Sequence, residues 1–217
     1  MKLNKILVLA TCMALLLAGA AQAALVLGGN STPIHGFFNG SAVYWGGGSF
    51  EPSSWNGTPL KYVYCVDVFH TISIPGTFNS AIATSNGIVN SLSVPVHNAG
   101  QVAWLLDHYG TAGNGDAAYA LQAAIWHVIY DGYGGNTYVI DTTQHTTAVG
   151  LYNTMLGVLG SQTSDVSAYL WFTPGGPDNF EKQGLVAPNP VPEPGTMMLL
   201  GSGLVGLAGW GRKKFRK

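Results

Sequence analysis

Between residues 62 and 69 the chain runs Tyr-Val-Tyr-Cys-Val-Asp-Val-Phe, a series of aromatic and β-branched side chains that predicts a strand. Alternation along it places Val63, Cys65, Asp67 and Phe69 on one face and Tyr62, Tyr64, Val66 and Val68 on the other. The period then changes. Val102, Leu105, Leu106 and Tyr109 recur at helical spacing, which predicts a helix over 98–109 with a stop at Gly110. Asp116 is placed to cap a second helix reaching about Tyr130 and ending at Asp131-Gly132, and Thr143 to Leu159 offers a weaker third. Ala168 to Phe172 returns to strand character, and Gly184-Leu185-Val186 is expected as a last edge strand. The stretch from Gly28 to Pro59, rich in Gly, Ser, Asn, Pro and Trp, reads as short strands and loops, with Ala42-Val43-Tyr44-Trp45 its best strand. Strands, then helices, then strands predict an α+β fold: sandwich-like or barrel-like β segments with an inserted helical block.

The two ends follow other rules. Lys2 and Lys5 precede an apolar run from Ile6 to Leu17 that closes on Ala21-Gln22-Ala23, the layout of a secretory signal over residues 1–23. A lipoprotein reading through Leu9-Ala10-Thr11-Cys12 competes, but the apolar run continues past Cys12. At the other end Pro192, Glu193 and Pro194 open a segment, 191–217, in which an uncharged span of about 195–211 leads into the basic tail 212–217. Such a span sits at the short limit for crossing a bilayer, and the basic cluster belongs on the cytoplasmic side. In order and position these parts resemble the PEP-CTERM sorting signal of Gram-negative bacteria. The resemblance implies an exosortase as a partner, an inner-membrane anchored intermediate, and a final place at the cell surface or in the extracellular matrix.

With the ends set aside, residues 24–190 form one expected domain, long enough for a sizeable core. Its charge differs from that of the whole chain, where nine basic residues face ten acidic ones. Only Lys61 and Lys182 remain against nine acidic residues, a net charge of −7. An acidic body lacks the basic patch that phosphate recognition needs, so nucleic acid is excluded as a partner.

An exported chain normally pairs its cysteines, and with Cys12 removed in the signal only Cys65 remains, which points to a reactive thiol or an intermolecular bond. On the second helix Gln122 shares a face with Trp126 and Ile129, at the spacing that turns inward. A primary amide there must find partners. One solution is ordinary: Gln122 bonds to backbone and caps a neighbouring strand. The other is covalent, with Cys65 attacking the side-chain carbonyl and expelling ammonia in an enforced, dry contact.

The segments Tyr64-Cys65-Val66-Asp67 and Leu121-Gln122-Ala123-Ala124-Ile125-Trp126 resemble the two signatures of bacterial surface thioester domains, as do Gln101 to Leu106 and Lys182 to Val186. Leu121 stands where that family often carries Thr or Ser before the glutamine. The resemblance implies a Cys65–Gln122 internal thioester that captures an amine on a surface or matrix partner once, as a covalent adhesin or cross-linker rather than a turnover enzyme. No cofactor and no metal are expected. Asp67, Trp126 and His127 are candidate supporting residues. Lys61 lies four residues before Cys65, about 13 Å along an extended strand and too far for direct attack. Two rivals stay open. A cysteine hydrolase would pair Cys65 with His70, His97, His108 or His127. A non-covalent matrix or carbohydrate-binding module would use the six Trp and ten Tyr as stacking faces. His127 and Asp131 are four apart on a helix, too few ligands for a metal site.

Overall fold

The computed structural model describes residues 24–29, 31–89, 94–176, 181–190 and 201–204. The expected signal sequence 1–23, Pro192, Glu193, Pro194, all of the expected membrane helix except the helical residues 201–204, and the tail 212–217 lie outside them. Among the described residues no helix is long and apolar enough to cross a membrane.

The N-terminal third is built from short strands. β1 (Leu25–Leu27) precedes a hairpin of β2 (Thr32–Phe38) and β3 (Ser41–Gly47), and a second hairpin joins β4 (Ser53–Trp55) to β5 (Thr58–Leu60). Each hairpin turns on an Asn-Gly pair with positive φ at both residues, 51° and 74° at Asn39-Gly40 and 52° and 78° at Asn56-Gly57. This is the mirror-image turn whose twist matches that of antiparallel strands. Then come β6 (Tyr64–Cys65), β7 (Gly76–Phe78), β8 (Ile82–Thr84), β9 (Ile88–Val89) and β10 (Val94–Pro95). The helical block follows: α1 (Ala99–Tyr109), α2 (Asp116–Tyr130), β11 (Tyr138–Ile140) and α3 (Thr146–Leu159). β12 (Tyr169–Thr173) and β13 (Leu185–Pro188) complete the order.

Three antiparallel sheets matter for the site, in the orders β5-β4-β1-β7, β11-β2-β3 and β6-β13-β12-β8. The helix limits agree closely with the periodicity, although Gly115 caps α2 and Asp116 is its first residue. Three expectations change. The run 62–69, expected as a strand throughout, is one only at Tyr64–Cys65; every residue from Tyr62 to Asp67 is buried, and Phe69 is exposed. The segment expected as a last edge strand lies inside its sheet, between β6 and β12. The β segments, expected as sandwich-like or barrel-like, form several separate small sheets.

α2 is the centre of the molecule. From Ala118 to Tyr130 all of its residues but His127 are buried. A helix apolar all round must be covered all round, and α2 is packed against α1, α3, β2 and β11. Its alanines at 118, 120, 123 and 124 let those neighbours approach closely.

Candidate functional site

β6 is the outer strand of its sheet, and its two edges are used differently. Cys65 lies opposite Leu185 and Tyr64 opposite Val186, and the N–H of Val66 donates to Gly184 O at 3.0 Å. In an antiparallel pair successive residues turn their main-chain groups to alternate sides. Tyr64 and Val66 therefore face β13, and the polar groups of Cys65 face away from it. There Gln122 meets them. The Cys65 N–H donates to Gln122 Oε1 at 2.9 Å, and Gln122 Nε2 donates to Cys65 O at 2.8 Å. One side-chain amide thus occupies the place of a further strand on an otherwise open edge. Both residues are fully buried.

A second clamp from the same helix holds the next residues. The Tyr130 hydroxyl donates to Val66 O at 3.1 Å and accepts the N–H of Val68 at 3.2 Å. The spacing is matched: eight helical residues from Gln122 to Tyr130 span about 12 Å, and three extended residues from Cys65 to Val68 span about 10 Å.

Behind Gln122 the packing is tight. A Cβ added at Gly47 would lie 2.8 Å from Gln122 Cγ, 2.9 Å from Ile34 Cγ1 and 3.2 Å from Trp126 Cη2, so only glycine fits there. Trp126, one turn beyond Gln122, is fully buried and packs edge-on against Trp45 and Tyr138, with ring centroids 5.5 and 6.0 Å apart. Its role is to shape this wall. Its Nε1 has no hydrogen-bond partner.

Asp67 is fully buried and multiply bonded. Its carboxylate accepts the Phe69 N–H at 2.8 Å and lies 2.7 Å from His70 Nδ1, while its carbonyl accepts from Gln183 Nε2 at 2.7 Å. Burial, and then the Asp67 charge, push the Cys65 thiol well above its ordinary value, so the resting group is the protonated thiol. His70 lines a cavity of about 410 Å³ together with Trp45, Gly46, Phe50, Val68 and Gln183.

His127 has other company. Its Nδ1 lies 3.1 Å from Tyr138 O and 3.0 Å from the Tyr152 hydroxyl, and its Nε2 is 3.8 Å from Asp131. These are not the partners of Cys65 or Gln122. His97 stacks on Tyr133, and His108 stacks on Trp104 while bonding to its carbonyl. Among the described residues no group of three or more His, Cys, Asp or Glu could hold a metal ion. Lys61 is exposed, with its Nζ 5.7 Å from the centroid of the Tyr62 ring.

The structure therefore joins Cys65 and Gln122, packs Trp126 behind Gln122 at Gly47, sets Asp67 near Cys65, and leaves His127 apart. Three further residues belong to the site. The signal for Tyr130 is its position two turns beyond Gln122 on the inward face. For His70 it is the three-residue spacing from Asp67. Gly47 carried no signal beyond being a glycine in a strand.

No curated protein and no solved structure matches the chain. Residues 190–213 match the family model of the PEP-CTERM protein-sorting motif. That motif marks an exported protein, carried by a membrane-anchored C-terminal signal to an exosortase-type sorting machinery before processing.

Proposed function

We propose that the exported domain is a single-use covalent surface module in which Cys65 and Gln122 form an internal thioester, opened by a primary amine on a surface or matrix partner. The observation that carries the reading is the doubly bonded contact between the Gln122 amide and Cys65, residues 57 positions apart and wholly shielded from water. In the forming step the Cys65 sulfur adds to the Gln122 carbonyl carbon. Negative charge grows on Oε1, where the Cys65 N–H already lies at 2.9 Å as an oxyanion donor. The nitrogen departs with the thiol proton as ammonia, leaving a carbon–sulfur bond. Water is excluded from the product, so it persists until an amine is delivered.

A second reading draws on the same contact. Both polar ends of the Gln122 amide are satisfied by main chain, and Tyr130 makes an equivalent clamp without any covalent chemistry. On that reading Gln122 closes the sheet edge and the module binds its partners non-covalently.

Peptic digestion of the purified exported protein at low pH, followed by mass spectrometry, separates the two. The thioester predicts joined peptides carrying Cys65 and Gln122, lighter together by one ammonia, and a thiol that does not titrate. Cys65→Ala and Gln122→Ala should each restore separate peptides. Separate wild-type peptides and one free thiol in the denatured protein refute the covalent reading. A joint between Gln122 and Lys182 would instead be an isopeptide bond, with the thiol still free.

A further inference from the structure

We propose that His70, oriented by Asp67, is the base that accepts the proton of the incoming amine, and that the cavity it lines receives an unbranched aliphatic amine such as a lysine side chain. The proposal rests on the thioester reading above.

The geometry is that of an imidazole fixed from behind. Asp67 cannot move freely: it is fully buried, one carboxylate oxygen accepts the Phe69 N–H, and its carbonyl holds Gln183. Its other oxygen lies 2.7 Å from His70 Nδ1. A carboxylate in that position selects the tautomer with hydrogen on Nδ1 and leaves the Nε2 lone pair as the basic site. The His70 side chain is 30% exposed and lines the cavity, so solvent and ligands reach the ring.

The cavity also adjoins the reacting pair. Gly46 is in its wall, and the next residue, Gly47, touches the stem of Gln122. Trp45, also in the wall, packs on Trp126 one helical turn from Gln122. Val68 and His70 follow Cys65 along the chain. Trp45, Phe50, Phe69 and Ile72 make much of the lining apolar, which suits an alkyl stem, and no carboxylate lines it to hold the amine as an ion. An aliphatic amine arrives protonated and must lose a proton before it is a nucleophile. In the step itself His70 Nε2 first takes the ammonium proton, and the neutral amine nitrogen then adds to the thioester carbonyl carbon. The carbon–sulfur bond breaks as a second proton passes from that nitrogen to the Cys65 sulfur, and the imidazolium returns its proton to solvent. Amine and thioester become amide and thiol, with no change in oxidation state. The buried Asp67 carboxylate steadies the imidazolium while it exists.

The test compares two probes on full-length wild-type protein and His70→Gln, a variant that can still bond to Asp67. Butylamine is protonated in neutral water and needs a base; methoxyamine is largely neutral and does not. With the Cys65–Gln122 joint present in both proteins, opening by butylamine should slow at least about tenfold in the variant. Opening by methoxyamine should stay within a few fold. Equal butylamine rates, or equal slowing of both probes, would overturn the role. If the variant lacks the joint while wild type has it, His70→Ala with added imidazole decides instead: restored butylamine opening supports the role, and none refutes it. A wild-type protein without the joint brings down the thioester reading itself, and this one with it, before any rate is compared.

Discussion

Two adjacent glycines give the residue scale its sharpest contrast. Gly46 has only Ser31 Oγ near its missing Cβ, at 3.9 Å, whereas Gly47 faces Gln122 at 2.8 Å. Neither needs a positive φ, so space alone separates them. Gly47→Ala should therefore cost about 1–3 kcal/mol through overpacking, and push Gln122 off the Cys65 main chain. Gly46→Ala should stay within about 0.5 kcal/mol of wild type, as surface changes do. Denaturant titration of the two variants checks this, and equal stabilities would remove the cradle from the account. At this scale the Cys65–Gln122 contact was legible before the structure, because an unpaired thiol and an amide on an inward helical face are each anomalous alone. Gly47 was not legible, since its reason lies in a side chain 75 positions away.

At the scale of elements, α2 grips the chain from Cys65 to Val68 at two points, and the two grips can be separated. Tyr130→Phe removes the hydroxyl shared by Val66 O and Val68 N–H, leaving buried main-chain groups unpaired at about 1–3 kcal/mol. Hydrogen exchange should show lost protection at the Val68 amide with the Cys65 amide, held by Gln122, still protected. Simultaneous loss at both would mean that the grips are one cooperative unit. The limits of α1 and α2 were readable because Gly110 and Asp131-Gly132 interrupt a clear period. The run 62–69 forms less strand than its residues suggest because Val66 O and the Val68 N–H are held by the Tyr130 hydroxyl and not by a neighbouring strand. Sheet order was beyond reach as well. Nothing local in Leu185 to Pro188 tells that β6 and β12 flank it on both sides. Asn39-Gly40 and Asn56-Gly57, by contrast, are local signals that fix two hairpins outright.

For the whole molecule the telling group is the tyrosines. Burial, as the first cause, raises Tyr64, Tyr130, Tyr138, Tyr152 and Tyr169 above the ordinary value of 10.0. The sign follows directly: the folded state keeps these protons and the unfolded chain gives them up, so their contribution is complete below about pH 10 and is lost as pH rises beyond it. Melting temperature should fall steeply from pH 10 upward, and the greater part of the phenolate absorbance should appear together with unfolding. Phenolate absorbance that reaches its full unfolded value in a still folded protein would contradict the burial described here.

The interior place of β13 has a mechanical meaning. The strand ends at Pro188, two residues before the segment that matches the sorting motif, and its Leu185 lies opposite Cys65. A pull on the C-terminal end enters the domain along β13, which is hydrogen-bonded to neighbours on both sides. The load is then shared as shear across two ladders at once, where an edge strand would have offered one ladder to peel. On the proposed function, a partner tethered at Gln122 and an anchor beyond Pro188 would be connected through a strand held on both sides.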